Sequence, residues 1–372
     1  MDTTPVMFAM CLIMPICGVF AAIVPFLQPR TQAFAVTVPS SADSDAFIKS
    51  LKRRYAATVL VATALLSVAC VAASVARNFV AFVMLISVGT LALFLASYAL
   101  MLAYRRRVIA YKKQRGWAAQ TQQAVASIGG EPEGAPRGIS LKWSLVYVPI
   151  VLVTLAIAAA GYPSMPDQIP MHVGFDGTVD RWADKSLGVV LFPIALELFL
   201  IAAMVFCHWQ ALVSKKWQEP GAPASSAWAY GMFVRANTIV LVGCGAIIVA
   251  AMGISFELYI VGAIGIDLAI FAMLASCVPL VVASVLVSAA YGQSGSRVFR
   301  RMQASGDMLV DDDEHWKLGI FYWNSADASV FVPKRFGIGW TINFARPAAW
   351  AAIAGFCLAT VAFVLVAAVM VG

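Results

Sequence analysis

Charge is what this sequence has least of. Asp, Glu, Lys and Arg make up 12% of its 372 residues and hydrophobic residues 61%, whereas a soluble domain averages roughly a quarter charged and half apolar. That shortage excludes an ordinary water-soluble globule. Histidine is scarce too, with three in the chain. The seven cysteines all fall in apolar runs and form no CxxC pair, which argues against a disulfide framework or a Cys/His zinc site. No basic residue precedes the first apolar run, which carries Pro15 and Pro25 and lacks a small-residue cleavage site, so it reads as a retained segment.

Long apolar runs are what the sequence does have. A helix needs about 20 apolar residues to cross the ~30 Å hydrocarbon core. Eight runs are candidates, at 6–27, 56–76, 79–104, 144–161, 187–209, 236–256, 266–291 and 349–371. The expected fold is an all-α polytopic membrane protein. Alternating these spans places 23 of the 26 Lys and Arg residues on one side and only Arg77, Arg181 and Lys185 on the other. The positive-inside rule then makes the basic side cytoplasmic and puts both termini outside. The net charge of +7 reads as orientation and contact with anionic lipid, not as nucleic-acid binding.

Three soluble pieces punctuate the helices. Between an N-terminal membrane region (1–161) and a second one (187–291) lies an extracytoplasmic loop, 162–186, containing MPDQIPMHVGFDGTVDRWADK. A cytoplasmic segment, 292–348, precedes the last helix at 349–371. Within it, short apolar runs at 318–323, 329–333 and 338–344, separated by NSADAS and PKRFG, predict a small β-rich module. The run Asp311 to Glu314 reads as a linker or helix start more readily than as a cation site. Gly337 and Gly339 lack the third glycine and the strand-to-helix setting of a dinucleotide fingerprint. The third piece is the basic linker RRRVIAYKKQRGWAAQ after the third run, which either lies along the headgroups or continues the third helix into solvent. In the first inner loop, the alternation in AFAVTVP suggests a strand that could pair with SVFVP of the tail, covering an exposed edge.

Pro166, Ile169, Pro170, His172, Gly177, Asp180, Trp182 and Lys185 fit the pattern LP-x-x-IP-x-H-x-x-x-x-G-x-x-D-x-W-x-x-K, with Met165 at the leucine. The loop thereby resembles the bacterial membrane family of domain of unknown function 1648, which includes SdpI-like immunity proteins. The tail resembles the family of domain of unknown function 5808 through Phe321, Tyr322, Asn324, Asp327, Phe331, Val332, Pro333, Lys334, Gly337, Gly339, Trp340 and Asn343; Ser325 and Ala328 stand where prolines are usual. The first resemblance implies a bacterial cytoplasmic (inner) membrane location. It also implies a sensor or immunity-type role in which an extracytoplasmic peptide or small ligand is bound outside and a cytoplasmic regulatory protein is contacted inside.

Read as chemistry, Asp176-Gly177 is a two-residue hairpin turn. Its regular register opposes His172 to Arg181, Val173 to Asp180 and Met171 to Trp182, so that Met171, Val173, Phe175 and Trp182 share an apolar face toward the helix ends. His172 and Asp180 then point to opposite faces, leaving a general-base histidine without its carboxylate unless a bulge intervenes. Ser164 and Ser186 are the loop's only serines, which makes a hydrolase the least favoured reading.

Inside the membrane, Glu197 lies about 15 Å into its run, where a charge costs roughly 2.5 to 3.5 kcal/mol. It is expected to be protonated or to face a polar cavity. Asp267 either lies at similar depth, making a two-carboxylate ion site, or caps a helix start. His208 and Trp209 read as an interfacial anchor, and His315 has no partner cluster. The leading expectation is a non-enzymatic sensor or immunity-type protein without cofactor or metal. The alternative is a proton- or cation-coupled transporter built on an intramembrane carboxylate.

Overall fold

The computed structural model describes residues 7–8, 10–118, 134–173, 179–216, 222–302 and 311–371. Seven helices are long and apolar enough to cross a membrane: α2 (Ala46–Val75), α3 (Phe79–Gln114), α4 (Leu141–Ser164), α5 (Leu187–Val213), α6 (Pro223–Ile260), α7 (here Ile266–Tyr291, continued after a corner by Ser296–Met302) and α8 (Pro347–Val371). A shorter apolar helix, α1 (Ile13–Leu27), stands where the first span is expected. Cys11 at its start meets Ser74 Oγ at the far end of α2, with Sγ 3.4 Å away. Beyond its other end, Gln28 donates to the Arg335 carbonyl in the tail. Residues 11–28 thus run the apolar length of α2, and the chain is a multi-pass membrane protein.

Local signals set the helix starts. Asp45 accepts from the Phe47 and Ile48 amides at the start of α2, Asn78 from Ala81 at α3, and Ser186 from Val189 at α5, each satisfying orphan N–H groups. The basic stretch after the third run is a direct continuation of α3 through Gln114. Most of the following Gly/Pro-rich linker lies outside the described residues.

The helices form two groups. In the first, α1 lies so close to α2 that a Cβ on Gly18 would stand 2.0 Å from Thr63 Oγ1. Phe34, Tyr55 and Tyr104 pack edge to face at its basic end. The second contains α4 to α8, with Phe363 of α8 stacked on Phe192 and Phe199 of α5. Leu65, Val68 and Val369, all more than two-thirds exposed on long apolar helices, face the position of lipid. The groups also meet where α1 touches α7.

The tail ties the groups together at the basic end. Its strands are β5 (Trp316–Lys317), β6 (Phe321–Tyr322), β7 (Phe331–Pro333) and β8 (Trp340–Ile342), paired as two small antiparallel sheets and joined by a Tyr322–Asn343 bridge. Arg335, 2% exposed, donates to Asp312, Asp313, Thr37 and the Ala35 carbonyl. Lys112 Nζ of α3 reaches Asp311 at 2.5 Å and Asp313 at 2.8 Å, and Arg105 reaches the Ala35 and Trp316 carbonyls. Toward the second group, Lys215 Nζ pairs with Asp327 at 2.6 Å, Trp340 Nε1 donates to Tyr230 OH, and Gln293 exchanges hydrogen bonds with Gly339.

The expected pairing of AFAVTVP with SVFVP does not occur. Phe34 and Ala35 have φ of 48° and 60°, so they form the turn of a local two-stranded hairpin, Gln32–Ala33 with Val36–Thr37. The β7 strand pairs with β8 instead, and the hairpin meets the tail through Thr37, whose amide and hydroxyl both donate to Asp313 Oδ1 at 2.9 Å. The Asp311–Glu314 run is thereby largely occupied with protein cations.

Candidate functional site

At the end away from the tail, the loop forms a hairpin of β3 (Gln168–Val173) and β4 (Val179–Asp184). Gly177 and the rest of the expected Asp-Gly turn lie outside the described residues, as does the side chain of His172. His172 pairs with Arg181 as the sequence predicts, but Trp182 pairs with Pro170 and Val173 with Val179. Met171 is a bulge on one strand and Asp180 on the other, each skipped by its neighbours' pairing. A one-residue slip reverses faces, so Trp182 is turned outward and is 53% exposed. The inward side is made by Met165, Ile169 and Ala183, at 4%, 1% and 6% exposure, with Met171 packed beside them.

The signature residues of this loop hold it down. Pro166 lies against Gly262 after α6, whose φ of 80° suits glycine. The Pro170 carbonyl accepts from Tyr259 OH of α6. Lys185 Nζ donates to the Pro163 and Met165 carbonyls, both at 3.3 Å, and lies over the Tyr162 ring. Ser164 bonds Gly161 and Ser186 caps α5, so both hydroxyls serve helix ends.

Beneath the loop lies an apolar layer that includes Val190, Ile194 and Ile260, and beneath that layer are two carboxyls. Glu197 of α5 and Glu257 of α6 are both 0% exposed. Thr154 of α4 donates to Glu197 Oε1 at 3.3 Å; among the described residues, Glu197 Oε2 and both oxygens of Glu257 have no hydrogen-bond partner. The backbone makes room for them. Residues Ala251–Ser255 of α6 form a π turn, a distortion that advances the helix face. A Cβ on Gly253 within it would stand 2.6 Å from Glu197 Cδ.

Glu257 is the residue that sequence reading missed, because the sixth apolar run was closed at 256 while the helix continues to Ile260. Its spacing from Gly253, one turn earlier, is the signal that points inward. Asp267, left open by the sequence between a place beside Glu197 and a helix start, is exposed in the first turn of α7 beyond the Gly265 cap, the second of these two positions.

A second buried polar group sits at the basic end of the same helices. His208 is 1% exposed, whereas Trp209 is 43% exposed, so only the tryptophan fits an interfacial anchor. The Ser144 hydroxyl lies 3.2 Å from His208 Nδ1 and the Ile139 carbonyl 3.0 Å from Nε2. A carbonyl only accepts, so Nε2 carries a proton. Thr238 Oγ1, fully buried, accepts from the Ile139 amide. Among the described residues, no three His, Cys, Asp or Glu side chains gather as a metal site.

The tail signature is architectural. Asn343 is fully buried, donates to the Asn324 and Asp327 carbonyls, and accepts from the Asn324 amide. Asn324 donates to Tyr322 OH, which donates to Asp327. Gly337 and Gly339, with φ of 92° and 95°, shape the turn closed by the Lys334 amide on the Gly339 carbonyl, between Pro333 at the end of β7 and Trp340 at the start of β8.

Residues 133–196 match the family model described as domain of unknown function DUF1648, and residues 326–350 match that of the family of unknown function DUF5808. No curated protein and no solved structure matches the chain. The first match thus covers α4, the β3–β4 hairpin and the first turns of α5, ending one residue before Glu197.

Proposed function

We propose that this protein is a proton- or cation-coupled membrane protein in which Glu197 and Glu257 bind the coupling ion beneath the 162–186 loop. The observation that carries this reading is the pair itself: two carboxyls fully buried among membrane helices, three of their four oxygens without a partner among the described residues. Packing alone does not call for such a pair, since apolar side chains of similar size would fill the space at no electrostatic cost. Intramembrane ionisable residues most often mark ion or proton pathways. The placement of 23 of 26 basic residues at the opposite end supports an orientation in which the loop faces outward and the tail the cytoplasm of a bacterial inner membrane.

Infrared difference spectroscopy of the purified chain in lipid tests the reading. Changing pH or sodium concentration is expected to change carboxyl bands that disappear in Glu197→Gln and Glu257→Gln. A spectrum unchanged by either ion refutes it.

A sensor reading of the outer loop has one specific support: Tyr259, two residues beyond Glu257, holds the Pro170 carbonyl. A ligand that moves the hairpin would pull on the helix end that carries the carboxyl. If so, Tyr259→Phe shifts the ion response of the pair; an unchanged response removes this reading.

A further inference from the structure

Resting on the carboxyl-pair reading, we infer that the ion is a proton and that His208 is its station at the cytoplasmic end. The polar groups of α4, α5 and α6 lie along facing stripes. On α5, His208 follows Glu197 by 11 residues, three turns along one face and about 17 Å at 1.5 Å per residue. On α4, Ser144, Tyr147 and Thr154 share the facing side, and Tyr147 is buried.

The third helix has glycine where polar heads approach it. A Cβ on Gly245 would stand 2.6 Å from Tyr147 OH, just as one on Gly253 would meet Glu197. These two glycines, eight residues apart on α6, place a hydroxyl between the carboxyl pair and the histidine. Two carboxyls and one threonine are few oxygens for a metal cation, which needs six or more ligands for magnesium or calcium. A proton needs one.

A pocket of about 410 Å³ is lined by Gly138, adjoining the Ile139 carbonyl, and by Leu212, one turn beyond His208. Arg137, Lys216 and Tyr230 line it too. Against the imidazole lie the Ser144 hydroxyl of α4 at Nδ1 and the Ile139 carbonyl at Nε2, and the Ile139 amide in turn donates to Thr238 of α6. A proton arriving at Nδ1 makes the imidazolium, and loss of either ring proton restores a neutral ring, with no heavy-atom bond changed.

The experiment is proton uptake by liposomes containing the full chain and an internal pH dye, driven by a potassium diffusion potential. Wild type is expected to conduct, and His208→Gln to conduct on the order of a hundredfold more slowly, the usual range for losing one proton-transfer group. External imidazole should restore part of the rate in His208→Gly, a readout that a purely structural histidine would not give. The infrared carboxyl response should persist in both variants. If His208→Gln does not fold, Tyr147→Phe reads the same path and is expected to slow it. Wild-type liposomes that pass no protons, or wild-type rates in His208→Gln or Tyr147→Phe, overturn the inference. Loss of the infrared response in wild type instead overturns the carboxyl-pair reading.

Discussion

Gly253 and Glu197 illustrate how much a single position decides. The carboxyl of one occupies the side-chain volume of the other, so Gly253→Ala is expected to destabilise the bundle by about 1–3 kcal/mol, as overpacking usually does. Thermal unfolding in detergent checks this, and pairing it with Glu197→Ala should recover most of the loss. Glu257→Leu should behave oppositely, leaving the midpoint unchanged or higher because an apolar residue replaces a buried carboxyl without partners. It should nevertheless remove that carboxyl's component of the ion response. Glu197 was legible in the sequence as a lone acid deep in an apolar run. Glu257 was not, because the π turn that swings it inward leaves no compositional trace. His208 was visible, but its burial depends on Ser144 and Ile139, more than 60 residues earlier.

Among the elements, the outer hairpin and the tail hold by different forces. The hairpin rests on apolar burial, so Ile169→Ala should cost about 2–5 kcal/mol, while Trp182→Ala on the exposed face should change stability by less than about 0.5 kcal/mol. Equal effects on the unfolding midpoint would contradict the double-bulge register. The strand runs and the His172–Arg181 pairing followed from alternation and turn chemistry. Bulges at Met171 and Asp180 did not, because they answer to the helix ends below.

The tail is held by charge. Burial pushes Asp313 upward, but Arg335, Lys112 and the Thr37 amide outweigh it and bring the carboxyl down to about 2; Lys215 and Ser329 likewise outweigh burial at Asp327, also to about 2. Depressed values in the folded state mean a contribution that is complete above the ordinary value of 3.8 and lost as pH falls toward about 2. Tail docking, followed by limited proteolysis with an acid-active protease, should hold down to about pH 4 and fail below it. Removing the buried guanidinium with Arg335→Ala should release the tail at neutral pH, a loss of about 3–5 kcal/mol. A tail equally protected in that variant would contradict the clasp.

For the whole molecule, composition alone gave the membrane class and charge asymmetry gave the two ends. What it left hidden was the division into two helix groups bridged by the tail, which rests on contacts between residues as distant as Gln28 and Arg335. The loop family match and the carboxyl pair belong to one group, stacked as hairpin, apolar layer and acids. The central claim is that these acids act as one ion-binding unit, and titration of the carboxyl infrared bands in single variants tests it most directly. Coupled sites titrate as a pair, so Glu257→Gln should remove one component and displace the midpoint of the one that remains, with Glu197→Gln doing the reciprocal. Bands that vanish independently, each leaving the other's midpoint unmoved, would contradict it.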